Sequence, residues 1–312
     1  MNTMNTHTNA MSASAASQTI APVPMPWTQI LYWSIRRELW ENRSIYIAPL
    51  AIAALTVFGT LISAFHLPAR MRTASSLDPM NAQELIAQPY NFIALLLMGT
   101  SFIVAIFYCL DALHGERRDR GILFWKSLPV SDLMTVLSKA SIPVLAIPLL
   151  TFVVTLATQW IVLLLSSAVL GASGASVAPL WRLPWLHMSW MLLYHLVALH
   201  GIYFAPIYGW LLLVSAWARR ATFLWASLPL LALAVVEKIA FNTSHFGHML
   251  GAWLGGGADA VPFPAKRGMS MDVMSHPAPV NFLLTPGLWI GLAIFAAFMV
   301  AAVRLRRSQG PI

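Results

Sequence analysis

Residues 90–110 read YNFIALLLMGTSFIVAIFYCL, an apolar run with no Asp, Glu, Lys or Arg. A helix rises about 1.5 Å per residue, so a run of this length can cross a hydrocarbon core about 30 Å thick. Working outward, five further stretches share this character: 45–65, 140–170, 190–217, 221–241 and 282–303. The stretch 140–170 is longer than a perpendicular span requires and carries Pro143 and Pro148 near its start. It is expected to tilt, kink or protrude. None of the six alternates with period two, as the short strands of a membrane barrel do. The sequence therefore predicts an all-α polytopic membrane protein with six transmembrane helices.

Composition supports that reading. Of 312 residues, 58% are hydrophobic and only 10% charged, with a mean hydropathy of +0.70. Soluble domains carry about 25% charged residues, so a soluble enzyme, a disordered chain and a coiled coil are excluded. The single cysteine, Cys109, excludes an intramolecular disulfide framework and any multi-cysteine metal site.

Lys and Arg placement sets the expected orientation. With the N-terminus in the cytoplasm, 13 of the 19 basic residues fall inside, among them Arg36, Arg37, Arg43, Lys126, Lys139, Arg219, Arg220, Arg304, Arg306 and Arg307. Arg70, Arg72, Arg182, Lys266 and Arg267 fall outside, and Lys238 lies within a span. Six crossings then put both termini in the cytoplasm. The pI near 10.1 follows from this asymmetry and from attraction to anionic lipid. No basic run is interleaved with aromatics, so a nucleic-acid partner has no support.

Between the spans, residues 1–26 lack Lys and Arg and have no basic region followed by an apolar core. They read as a flexible cytoplasmic tail rather than a signal peptide. In 27–43 (WTQILYWSIRRELWENR), Trp27, Leu31, Ile35 and Leu39 share one face, with Gln29, Arg36 and Arg43 opposite. This pattern fits a helix lying in the membrane plane, although it also fits an extension of the first span. The connections 66–89 and 171–189 are modest. The outer loop 242–281 contains an apolar piece, His248 to Leu254, too short to span and expected to be re-entrant or interfacial.

The connection 111–139 carries the most information. It reads DALHGERRDRGILFWKSLPVSDLMTVLSK, far longer than two spans need. A charged helical stretch (Glu116, Arg117, Arg118, Asp119, Arg120) leads through Gly121 to an apolar cluster (Ile122, Leu123, Phe124, Trp125) and a stop at Leu128-Pro129. Asp132 sits where it could cap the next helix. Exposed apolar side chains beside charge are costly in water. Two readings fit: a partner protein covers them, or they lie on lipid headgroups.

Signatures of enzymatic chemistry are missing from the sequence. It contains no G-x-x-x-x-G-K-[ST], G-x-G-x-x-G, H-E-x-x-H or G-x-S-x-G motif. In the fourth span, Tyr194, His195, His200 and Tyr203 accompany Gly201, Pro206 and Gly209. A broken helix with histidines and tyrosines fits a polar pathway, and equally fits interhelical hydrogen bonding with an aromatic belt. Glu237 and Lys238 lie near the outer end of the fifth span. They fit snorkelling or helix pairing, or a substrate contact. His245 and His248, one turn apart, could bind a metal, but without carboxylate or cysteine company a chance pair fits better.

At Glu116-Arg-Arg-Asp-Arg-Gly121-Ile-Leu-Phe-Trp-Lys-Ser-Leu128-Pro129-Val130-Ser131 the chain resembles the permease subunits of ABC-2-type transporters. Members look like this between their second and third spans: a Glu, basic residues, a Gly, an apolar run, then Leu-Pro-Val-Ser. Ile122 and Trp125 depart from the commoner pattern, which bears on subfamily and substrate. The resemblance implies an exporter-like permease of the plasma (bacterial inner) membrane, one half of a pathway completed by a second copy or a homologue. Separate ATP-binding subunits would hold ATP and Mg, so the chain itself would be no enzyme and bind no cofactor. Glu116 to Gly121, Ile122, Leu123, Phe124, Leu128 and Pro129 would couple to those subunits, with membrane lipid and an unidentified substrate as further partners. Two competing readings are an intramembrane enzyme using His195, His200 and Glu237, and a non-transporting membrane anchor or assembly factor.

Overall fold

The computed structural model describes residues 26–121, 130–254 and 286–308. The tail before Pro26, the apolar cluster Ile122 to Pro129, most of the outer loop and residues 282–285 lie outside the described residues. Every regular element among the described residues is helical.

Helix α1 (Trp27–Glu41) precedes α2 (Ser44–Ser63), which runs through a 3₁₀ turn (Ala64–His66) into α3 (Leu67–Ser75). Asp78 is extended and Pro79 occupies the first turn of the next helix, where its missing N–H costs nothing. That helix, α4 (Pro79–Ala112), is 34 residues long. The connection 66–89 is largely helical: only Ser76 to Asp78 lie outside helices. Polar side chains there obscured the helical continuation beyond the apolar run.

Short α5 (His114–Arg118) follows α4, and α6 (Asp132–Ser141) leads through a π-helical turn (Ile142–Ala146) into α7 (Ile147–Ala172). Pro143 lies within this turn and Pro148 just after it. The N–H of Ile147 donates to the carbonyl of Ile142, five residues back. Pro148 has no N–H to give the carbonyl of Val144. The cap of α6 is Ser131, whose Oγ accepts from the Met134 amide at 3.2 Å. The expected cap at Asp132 is therefore one residue off.

After α8 (Ala178–Trp181), α9 (Trp185–Tyr194) enters a second π-helical stretch (His195–Tyr203) before α10 (Ala205–Trp217). The two halves of this span are bent by 46°. Helices α11 (Thr222–Phe241), α12 (His245–Leu254) and α13 (Pro286–Ser308) complete the described chain. Among the described residues five helices are long and apolar enough to cross a membrane, or up to six if the bent pair is one span. Helix α4 is much more buried than α11, which is almost wholly exposed. The main core joins α4, α6, α10 and α13 around Tyr108, Leu113, Ile142, Tyr208 and Ala302. A second core at the opposite end joins α2, α4, α7 and the α8 region around Tyr90, Leu97, Leu163 and Leu180.

Two close approaches fix the packing. A Cβ on Gly201 would lie 2.6 Å from the Val144 carbonyl oxygen, so the second π-helical stretch rests directly on the first. A Cβ on Gly209 would lie 2.8 Å from Cδ2 of Phe295, which is how α10 and α13 come together. At Gly201 the neighbour is backbone, so any Cβ would force the two stretches apart.

Candidate functional site

The charged connection gathers side chains from five helices. Lys139, on α6, is almost wholly buried. Its ammonium donates to Glu38 Oε1 of α1 at 2.8 Å and lies 3.0 Å from Glu116 Oε1 of α5. The hydroxyl of Tyr108, on α4, donates to the other Glu38 oxygen at 2.9 Å. Arg306, near the end of α13, pairs with Glu116 Oε2 and donates from Nε to Asp132 Oδ1 at 3.1 Å. Three carboxylates and two cations thus form a connected, largely dehydrated network. Burial of any one of these charges alone would cost several kcal/mol, roughly, so each needs its partners.

Local sequence explains the arrangement. On α1, Leu31, Ile35, Glu38 and Leu39 fall at helical spacing, and the partly buried Ile35 and Leu39 pack against the main core. Glu38 therefore points inward with them. Trp27, Trp33, Arg36 and Trp40 stay exposed, with the Arg36 guanidinium 5.2 and 5.1 Å from the Trp33 and Trp40 rings. Trp27, which shares the spacing of Leu31, Ile35 and Leu39, is exposed at the start of the helix.

Of the coupling residues expected in sequence, Glu116 and Arg117 turn inward. Arg117 donates to the Ala216 carbonyl at 2.6 Å, and Ser215 Oγ accepts from the amides of Leu113 and His114 at 3.1 and 2.9 Å. These bonds moor α5 to the end of α10. Arg118, Asp119 and Arg120 face outward. Arg118 pairs with Asp119 at 3.0 Å and lies 3.5 Å from Asp111. Arg120 adopts a left-handed backbone (φ 56°) just before Gly121, which turns the chain out of α5. Ile122, Leu123, Phe124, Leu128 and Pro129 lie outside the described residues. Both ends of the segment that bears them are anchored in the same ion-pair network.

The expected pathway residues separate into different places. His195 and His200 are buried in the second π-helical stretch. His195 Nδ1 lies 2.8 Å from the carbonyl of Met191, whereas Nδ1 of His200 has no hydrogen-bond partner. The His200 ring sits 5.5 Å from Phe204 and 6.1 Å from Phe102. Tyr194 and Tyr203 are half-buried beside them. Glu237 does something else: its carboxylate accepts from Thr243 Oγ1 and from the amides of His245 and Phe246 at 2.9, 2.7 and 2.8 Å. It caps the N-terminus of α12, where negative charge and free N–H groups match. Lys238 is exposed. Among the described residues no three His, Cys, Asp or Glu side chains come together as metal ligands.

Gln159, which carries no signal in sequence, ties α7 to α4 by donating to the Tyr90 carbonyl at 3.1 Å. Glu38, Tyr108, Lys139 and Arg306 are also missed by sequence reading. Only Glu38 leaves a trace there, as a charge within an apolar stripe.

Fold and site together define an all-helical, multi-pass membrane protein whose buried ion-pair network braces a charged connection. Compared with known proteins, the chain matches no family model, no curated protein and no solved structure.

Proposed function

We propose that the chain is the membrane-spanning permease subunit of an ABC-2-type exporter, driven by separate ATP-binding subunits that dock on the connection 111–139. The observation that carries this reading is the bracing of that connection. Its two feet, α5 and α6, are joined through Glu116 to Lys139 and Arg306, and from there to α1 and α13. A loop that only linked two spans would need no such anchorage. A loop that receives force does, because a displacement at its tip reaches several helices only if its base is stiff.

In this reading the network faces the cytoplasm of a plasma (bacterial inner) membrane, in line with the basic residues concentrated there. Helix α1 lies along the same surface with Trp33, Arg36 and Trp40 at headgroup depth. ATP-driven closure of the motor pair pushes on Ile122 to Phe124. The network hands the displacement to α13, which moves α10 through the Gly209–Phe295 contact. The paired π-helical turns at 142–146 and 195–203 are where two spans can re-register, since such turns lack the regular ladder. Transport follows if the two arrangements differ in substrate affinity. A second permease copy or homologue completes the pathway.

The test is reconstitution with the ATP-binding subunit encoded nearest this chain's gene. Formation of a stable complex whose ATP turnover depends on this chain is the expected result. A complex-free chain with full biological activity would refute the proposal.

A further inference from the structure

At the end of the bundle opposite the ion-pair network, a recess of about 140 Å³ opens between α2, α3, α4 and α7. Its walls are apolar, formed by Met71, Ile86, Val162, Leu165 and Leu180. Its polar lining carries no carboxylate: Arg70 and His66 supply nitrogens, and Thr60, Ser63, Ser166 and Tyr90 supply hydroxyls, those of Thr60 and Ser63 already donating to helix carbonyls.

Arg70 is held in place by two neutral acceptors. One terminal nitrogen donates to the Leu85 carbonyl at 2.9 Å and to Gln88 Oε1 at 2.8 Å. Among the described residues no carboxylate pairs with it, unlike Lys139 and Arg306 at the other end. A half-buried guanidinium therefore keeps an unbalanced charge and further N–H donors beside an apolar recess. The depth is also marked. Trp185 meets Tyr90 edge-on at 4.8 Å, and Trp160 lies 6.2 Å from Trp185 and 6.3 Å from Trp181. Tryptophans cluster in this way at the headgroup layer.

We propose that this recess binds a singly charged anionic amphiphile, its phosphate or carboxylate on Arg70 with His66 and its alkyl stem against Met71, Ile86 and Leu165. A recess of this size takes a group about as large as a benzene ring, which suits the upper part of one acyl chain rather than a whole lipid. The two available sources are an anionic lipid of the surrounding leaflet and a free amphiphile of the same chemistry. The inference does not depend on the transporter reading, since it concerns the opposite end of the bundle.

The experiment uses the full chain purified in an uncharged detergent, with binding of phosphatidylglycerol, dodecanoate and phosphatidylcholine followed by native mass spectrometry. Wild type should bind the two anions and not the zwitterion. Losing a charged hydrogen bond should make Arg70→Gln about tenfold weaker for both anions. Arg70→Lys should retain most binding, and Arg72→Gln, altering an exposed neighbour, should change nothing. Leu165→Trp fills the recess while leaving the Arg70 bonds intact, and should abolish binding; it decides the matter if Arg70→Gln fails to fold. Mutual competition of the two anions marks a site open to free amphiphiles, and binding of phosphatidylglycerol alone marks a lipid site; either supports the proposal. Equal binding by wild type, Arg70→Gln and Leu165→Trp would overturn it, as would an equal loss in Arg72→Gln.

Discussion

Lys139 and Glu38 are 101 residues apart in sequence, yet their side chains meet at 2.8 Å with almost no exposure to solvent. The contact joins the helix before the first long span to the foot of the third. Because Arg306 reaches the same network from the last helix, the helices flanking the first and last spans converge at one end of the bundle.

Breaking this pair should be far costlier than removing it. Lys139→Met leaves Glu38 and Glu116 facing each other without their shared cation, and should destabilise the folded protein by about 3–5 kcal/mol. The double change Glu38→Leu with Lys139→Met should recover a substantial part of that loss. Thermal unfolding in detergent, monitored at equal protein concentration, checks both values. Equal melting of the single variant and wild type would show that the network contributes nothing.

The two π-helical stretches give a second expectation. Gly201→Ala drives a methyl to within 2.6 Å of the Val144 carbonyl, so the spans must separate, at a cost of about 1–3 kcal/mol. Gly99→Ala, in α4 with nothing within 4 Å, should be neutral or stabilising by up to about 1 kcal/mol. The comparison of their melting temperatures isolates packing from helix propensity.

How much of this could be read from sequence depends on which force sets each feature. The spans were legible because lipid demands long apolar runs, and α11 (Thr222–Phe241) falls within a residue of its expected start. The break in the fourth span was legible from Gly201 and Pro206, since both residues act locally. Helix α4 beginning at Pro79 was not, because Asn81, Gln83 and Glu84 are polar yet helical. The ion-pair network was invisible for a different reason. Its members sit at positions 38, 108, 116, 132, 139 and 306, and only tertiary packing brings them together. Glu116 was expected to couple to a docked subunit; its carboxylate pairs with Lys139 and Arg306, and the outward charges are Arg118, Asp119 and Arg120.

That distinction changes which variants are informative. Ser131→Ala removes the cap of α6 and should cost about 1 kcal/mol, loosening one foot of the connection without touching the ion pairs. Hydrogen exchange at the Met134 amide should rise in this variant while exchange near Ile142 stays unchanged. A uniform rise across α6 and the turn that follows would mean that the cap supports the whole element.

The single cysteine offers a map of sidedness. Cys109 is fully buried, so an impermeant maleimide should leave wild type unlabelled in intact cells. With Cys109 retained, Ser176→Cys should label from outside and Asp119→Cys only after the membrane is opened. The reverse pattern would contradict the orientation that the proposed motor docking requires.

The most direct measurement places a photo-crosslinking amino acid at Phe124 in the full chain, expressed with its native complement of proteins, and identifies what it captures. The account predicts a single dominant adduct with a protein carrying a phosphate-loop ATPase motif, lost on Arg118→Glu with Arg120→Glu. Capture of lipid alone, in cells where the chain is demonstrably functional, would contradict it.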